Sequence, residues 1–228
     1  KNRYPNVRIL TWKKEFNYSA INNFAVREAR GEYLLFLNND VEIITESWLE
    51  EMLQLCQQKD VGMAGAKLYY PDDTIQHAGV VVGLGGVAAH VLCKLPRDAE
   101  GYMGRLRCVQ EISAVTAACM MVKTSVFKAV GGFDEELKVA FNDIDLCMKV
   151  RKYGVKIVFT PYAELYHYES KSRGMEDTPE KQLRFSREVN CFRRKWEREL
   201  LKGDPYYNPN LTLNNTDCSL RKQEKNGD

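Results

Sequence analysis

The chain has 228 residues, a formal net charge of +2, 44% apolar and 28% charged residues. That length allows one sizeable domain with an extension, and the near-neutral charge argues against a bulk nucleic-acid binder. The seven cysteines are scattered with no CxxC pair, which fits reduced thiols in a cytoplasmic protein better than a disulfide framework or a thiolate metal site.

In chain order, residues 7–10 read as a short strand, and 19–30 as a helix stopped by Gly31. Residues 33–37 read as a strand, and 46–58 as an amphipathic helix with Trp48, Leu49, Met52, Leu53 and Cys56 on one side. A strand over 61–68 and a turn at Pro71-Asp72-Asp73 follow, then a glycine-rich apolar piece over 79–86. Residues 94–108 are polar and irregular, the pattern of an insertion or lid. Residues 112–122 read as strand. Thr124 is positioned to cap a short helix ending at Gly131-Gly132, and Asn142 to cap one ending at Gly154. A strand over 155–159 stops before Pro161, and a long charged helix covers about 179–201. This alternation predicts a layered α/β domain over 1–202, with a tail over 203–228 that wraps the surface or is disordered. The most apolar stretch, 78–93, carries His90 and is too short to span a bilayer. The basic face of the last helix (Arg184, Arg187, Arg193, Arg194, Lys195) is either merely solvated or in peripheral contact with anionic lipid.

The most informative stretch is Tyr33-Leu34-Leu35-Phe36-Leu37-Asn38-Asn39-Asp40. An apolar run without alternation reads as a parallel strand buried on both faces, and ligands of open α/β sheets bind just beyond the carboxyl ends of such strands. Asp40 stands at that spot, where a carboxylate suits a hard divalent cation that also holds a phosphate. The plainer reading of Asn-Asn-Asp is a turn leading into a helix.

Several segments in order resemble family 2 glycosyltransferases of the rhamnosyltransferase-like kind that build bacterial surface polysaccharide. They are residues 31–40, Ile75-Gln76-His77-Ala78-Gly79, Ala114-Val115-Thr116-Ala117-Ala118-Cys119, Gly131-Gly132-Phe133-Asp134-Glu135, Asn142-Asp143-Ile144-Asp145-Leu146-Cys147, 161–167 and Glu169-Ser170-Lys171-Ser172-Arg173-Gly174. The resemblance covers nearly the whole chain. It implies the nucleotide-diphospho-sugar transferase (GT-A type) α/β fold, with a mostly parallel central sheet and helices on both faces. The family opens with strands that hold the base and ribose, whereas this chain begins at what looks like the third strand. The expectation is therefore an N-terminally truncated domain whose own nucleotide binding is in question. Its incomplete sheet edge invites self-association.

By this resemblance the activity is that of a hexosyltransferase. It would use Mn²⁺ or Mg²⁺, a nucleotide-diphosphate sugar donor and a saccharide or lipid-linked acceptor, in the cytoplasm or at the inner face of the cell membrane. Asp40 and His167 are the implied metal ligands, a lone histidine being otherwise more often a structural hydrogen-bonder. Asn38, Asn39, Asn23, Ser170 and Arg173 are implied on the donor side; a guanidinium can clamp a diphosphate. Gly131, Gly132, Asp134 and His77 are implied near acceptor or sugar.

Asp143 and Asp145 lie about 200° apart on a helix, so they cannot both face one site. Asp143 matches the family's base, and Asp145 has a helix-start role as its plainer reading. An inverting displacement in one step is what the family implies. The rivals are a metal-dependent nucleotidyltransferase or phosphohydrolase on the same carboxylates, and a carbohydrate- or protein-binding module that has lost its donor site.

Overall fold

The computed structural model describes residues 4, 6–169 and 178–222. Its elements are α1 (Tyr18–Glu28), β1 (Tyr33–Leu37), β2 (Val41–Ile43), α2 (Trp48–Cys56), β3 (Val61–Tyr69), β4 (Ile75–His77), β5 (Val80–Val82), β6 (Ala88–His90), β7 (Gln110–Glu111), β8 (Cys119–Lys123), α3 (Thr124–Ala129), α4 (Asn142–Lys152), β9 (Lys156–His167), α5 (Pro179–Lys195) and α6 (Glu197–Lys202). One sheet runs β1-β8-β3-β9-β2, with β4 on β3 and β7 on β9; β5 and β6 form a separate hairpin.

Each strand sends alternate side chains to opposite faces of the sheet. On one face α2 places Trp48, Met52, Leu55 and Cys56 against Val61, Ala64, Cys119, Met121 and Val158. On the other, α1, α3, α4 and α5 bring Val26, Phe127, Leu146 and Phe192 onto Leu34, Phe36, Met63, Met120 and Phe159. Helices therefore cover both faces, as expected. Burying a side chain such as Met52 contributes about 1.5–3 kcal/mol.

The expectation of a mostly parallel sheet is corrected to a mixed one. Among the described residues only β3 and β9 pair in parallel; β1–β8, β3–β8, β2–β9, β3–β4 and β7–β9 are antiparallel. The strand Tyr33–Leu37 forms, but its neighbour is antiparallel and its burial alternates, with Leu34 and Phe36 buried and Leu37 exposed. Its apolar run reports that both sheet faces are packed, which holds for either strand direction.

Other local readings shift for identifiable reasons. Residues 7–10 are irregular and mostly exposed. Thr124 is the first helical residue of α3, and its hydroxyl donates to the Gly31 carbonyl, 2.7 Å. Phe141, at φ 61°, occupies the N-cap of α4, and the Asn142 amide donates back to Val139 O. The ring of Phe141 packs against Phe185 and Phe192, which offsets a left-handed backbone cost of about 1–2 kcal/mol. Of the strand expected over 112–122, only the part from Cys119 forms, as β8; Ala114 makes an isolated bridge to Val80.

β9 does not stop before Pro161. The β3 register jumps from Gly65↔Phe159 to Lys67↔Glu164, so residues 160–163 bulge out and proline, which lacks an N–H, fits. The long C-terminal helix breaks at Trp196, whose indole N–H is drawn to Asp145. Residues 94–108 pack on the core through buried Leu106. The segment after Gly203 does so through Tyr207, Leu211 and Cys218, and its Thr216 carbonyl accepts from Leu92 N–H. All seven cysteines are free thiols.

Candidate functional site

β1 ends at Leu37, and its continuation is tied down at once: Asn38 N–H donates to the Ala118 carbonyl, and Tyr168 N–H to the Asp40 carbonyl. The first ties the end of β1 to the start of β8; the second, with the Val41↔His167 pair of β2 and β9, sets Asp40 against the C-terminal end of β9. There the structure gathers Asn38, Asp40 and His167. His167 Nε2 lies 3.3 Å from Asp40 Oδ1 and 3.1 Å from Asn38 Nδ2. Its Nδ1 faces Gln76 Oε1 at 2.7 Å.

The orientation of Gln76 fixes the imidazole tautomer. Gln76 Nε2 donates to His167 O at 3.2 Å and to Glu169 Oε2 at 3.4 Å, so Oε1 must be the atom facing the ring. His167 Nδ1 then carries the proton, and Nε2 keeps its lone pair toward Asp40 and the Asn38 amide. Burial lowers the His167 pKa, opposed by the Asp40 carboxylate, and the ring is neutral at neutral pH.

Asp40 Oδ1 is buried and has no hydrogen-bond partner. A buried, unsatisfied carboxylate oxygen is expensive unless a cation completes it. One carboxylate oxygen and one imidazole nitrogen, oriented by an amide behind the ring, are a donor set that suits a borderline divalent metal with its remaining positions open. No group of three or more His, Cys, Asp or Glu side chains is arranged for a metal among the described residues. Asn39, beside the pair, is exposed.

All three histidines of the sequence gather around β4. His77, fully buried, accepts from Thr116 N–H at Nε2 (3.4 Å) and meets His90 Nδ1 through its own Nδ1 at 3.0 Å. Burial lowers the pKa of both rings, that of His77 strongly. His77 thus lies beneath the site as part of a neutral hydrogen-bonded pair.

Asp143 approaches from α4. Its Oδ2 accepts from Ala117 N–H at 3.1 Å and its Oδ1 from Ile144 N–H at 2.8 Å. Residues 117–118 are thus a shared wall, held by Asp143 on one side and by Asn38 on the other. Tyr18 closes it, donating to Ala117 O at 3.1 Å, with its own pKa raised by burial and then by the charge of Asp143. Asp145 points elsewhere. It is fully buried, its Oδ1 takes Trp196 Nε1 and Lys195 Nζ at 2.8 Å each, and Lys149 lies 3.2 Å from Oδ2.

Four further candidates form a cluster of their own. Asn23 donates to Phe133 O and Glu135 Oε1 and accepts from Phe133 N–H, pinning the turn after α3. Gly131 and Gly132 take φ of +79° and +67°, and a Cβ on Gly132 would stand 2.7 Å from Asn23 Oδ1 and 2.9 Å from the Phe127 ring. Asp134 accepts from Lys195 Nζ at 2.5 Å. Ser170 and Arg173 lie outside the described residues.

Gln76, His90 and Thr116 were not singled out for a role from sequence. Gln76 and His77 carry no periodicity signal, and only the antiparallel turn from β3 into β4 brings them under His167.

The family model described as "Glycosyltransferase like family" matches residues 5–188. The chain is 56% identical over 215 residues to the uncharacterized protein y4gI of Sinorhizobium fredii, covering 94% of this chain and 24% of that protein. It is 42% identical over 225 residues to the O-antigen biosynthesis protein RfbC of Myxococcus xanthus, covering 98% and 17%. The chain therefore spans about a quarter or less of the length of these relatives. Among solved structures, the mannosyltransferase PcManGT from Pyrobaculum calidifontis, in complex with GDP-Man and Mn²⁺, superposes with a TM-score of 0.54 at 15% identity, over 82% of this chain and 45% of that one. With residues 5–188 matched and the α/β layers shared, the chain belongs to the glycosyltransferase-like family 2 and has the GT-A type fold.

Proposed function

We propose that this chain carries the catalytic core of a metal-dependent, inverting glycosyltransferase. It moves a sugar from a nucleotide-diphosphate donor to a saccharide or lipid-linked acceptor in cell-surface polysaccharide synthesis. The observation that carries the reading is the Asp40–His167 pair, with its unsatisfied buried oxygen and its Gln76-oriented ring. The O-antigen role named for RfbC and the GDP-Man and Mn²⁺ named for the mannosyltransferase support it.

Asp40 Oδ1 and His167 Nε2 would hold Mn²⁺ or Mg²⁺, which when bound neutralises charge on the diphosphate. Nε2 has one lone pair, so the Asn38 amide that faces it at 3.1 Å would turn away as a cation binds, while Gln76 holds the ring through Nδ1. Asp143 accepts the proton of the acceptor hydroxyl. Each of its oxygens takes one backbone N–H and retains a second lone pair, so the carboxylate is fixed in place with a lone pair left to take a proton. Asp145 is committed to Trp196 and Lys195, which supports Asp143 as the base. One base, with no positioned nucleophile among the described residues, fits direct displacement and hence inversion. Among the described residues, no helix is long and apolar enough to cross a membrane.

Calorimetric titration with UDP, dTDP and GDP, with and without Mn²⁺, tests the reading. Metal-dependent binding that disappears in Asp40→Ala is the expected result. Nucleotide binding indifferent to metal and to Asp40 would overturn it.

A further inference from the structure

A cavity of about 1080 Å³ lies between β3, the bulge of β9 and the segment after β6. It is separate from the Asp40–His167 site in its lining but shares β9 with it. Glu164, on its wall, precedes His167 by three residues, about 10 Å along a strand.

Lys67 lines this cavity although it is only 5% exposed. Its Nζ makes one hydrogen bond, to Leu106 O at 3.2 Å, and lies 5.4 Å from the centre of the Tyr69 ring. An ammonium has three donors, so two remain for an occupant or water. A buried cation is costly to keep, and burial lowers the Lys67 pKa against the opposing pull of Glu164. Arg97 stacks on Tyr69 at 4.9 Å and makes only long ion pairs, 3.5 Å to Glu164 and 3.4 Å to Asp73. Glu164 also accepts from the Tyr69 hydroxyl. Tyr162, exposed on the rim, has its hydroxyl anchored to Arg107 O at 3.2 Å, which holds its ring in place.

The chemistry of this lining selects among ligands. Five carboxylates against three cations do not favour a polyanion. Carboxylates beside donors that are only loosely paired suit hydroxyl groups, which both donate and accept. Fixed tyrosine rings suit the apolar C–H faces of a sugar ring. The volume is in the range that holds a ligand larger than one small ring.

We infer that this cavity is a subsite for neutral saccharide units of the acceptor, held by Lys67, Arg97 and Glu164 and stacked on Tyr162. The inference rests on the transferase reading above and deepens it. It assigns the distal part of the acceptor a place of its own, away from the reacting hydroxyl.

The test is saturation-transfer NMR on the full chain, without metal or nucleotide. The probes are methyl α-L-rhamnoside, methyl α-D-mannoside, methyl β-D-galactoside, N,N′-diacetylchitobiose and a tetralysine peptide. Transfer to at least one saccharide is expected, weakened about tenfold, or about 1.4 kcal/mol, in Tyr162→Ala and Lys67→Met, and unchanged in Asp40→Ala. Tyr162 is a rim residue, so its variant remains informative should Lys67→Met fail to fold.

Silence from every saccharide overturns the subsite. So does transfer that survives both cavity variants and vanishes in Asp40→Ala. Binding of tetralysine alone, lost in Tyr162→Ala, assigns the cavity to a basic peptide and also overturns it. Nucleotide titrations on the same samples separate the two readings: saccharide silence with intact metal-dependent nucleotide binding removes only the subsite.

Discussion

Gln76 offers the sharpest perturbation of the candidate metal pair, because it touches the ring without being a ligand. Replacing it with Leu removes the 2.7 Å acceptor of His167 Nδ1 and the donor to His167 O. The Nδ1 proton is then left without its acceptor inside a buried site. The ring gains by moving that proton to Nε2, where Asp40 Oδ1 waits at 3.3 Å and satisfies it. A cation must then displace a proton as well as bind. Loss of such an orienting partner costs about 10- to 100-fold in metal affinity, which is about 1.4–2.7 kcal/mol. Gln76→Glu keeps an acceptor at Nδ1, and its affinity should stay within about threefold of the parent, a change below 1 kcal/mol. Calorimetric Mn²⁺ titration in the presence of a nucleoside diphosphate measures the affinities. ¹⁵N shifts of the His167 ring report the tautomer without any ligand. Unchanged Mn²⁺ affinity in Gln76→Leu, with the proton still on Nδ1, would refute the reasoning.

Four further outcomes are expected. Asp143→Asn should abolish sugar transfer while leaving metal and nucleotide binding intact, measured as turnover against calorimetric affinity. Asp145→Asn should behave differently, lowering unfolding free energy by about 3 kcal/mol, because Lys195 and Lys149 lose a buried partner; a denaturant midpoint equal to the parent's would contradict its structural role. Gly132→Ala forces a Cβ against Asn23 and Phe127 at positive φ and should cost about 2–3 kcal/mol, whereas Gly131→Ala meets open space and should cost about 1 kcal/mol of backbone strain; equal losses would refute the packing account. Burial pushes the Cys56 and Cys119 thiols up to about 12, so at pH 8 a thiol reagent should modify exposed Cys108 and leave those two untouched in the native chain, as read by mass spectrometry.

Much of the architecture was written locally. The apolar run over 33–37, the amphipathic pattern of α2 and the glycines after α3 each specify an element through short-range physics: periodicity, chain stiffness and the freedom of glycine at positive φ. The place of Asp40, just beyond the end of an apolar run, was legible for the same reason. The ordered set of family motifs carried the fold and the enzyme class further than any one segment did.

What sequence left open required distant residues to meet. Strand direction depends on which neighbour a strand finds, and β1 finds β8, 82 to 90 residues on and opposite in sense. The strand through Pro161 survives because a bulge absorbs the missing N–H. Asp143 and Asp145 look alike two positions apart, yet the path of α5 buries one under Trp196 and Lys195 and leaves the other at the wall of the site. Gln76 gains meaning only when β4 folds back beneath His167, ninety-one residues away. Sequence by itself determined most of the helices, the strands that begin at Tyr33 and Val61, and which carboxylate follows the first of them, because those follow from nearest-neighbour chemistry. Tertiary structure decided which side chains share a proton, a charge or a cavity, because those couplings fall off within a few ångströms and exist only once the layers close.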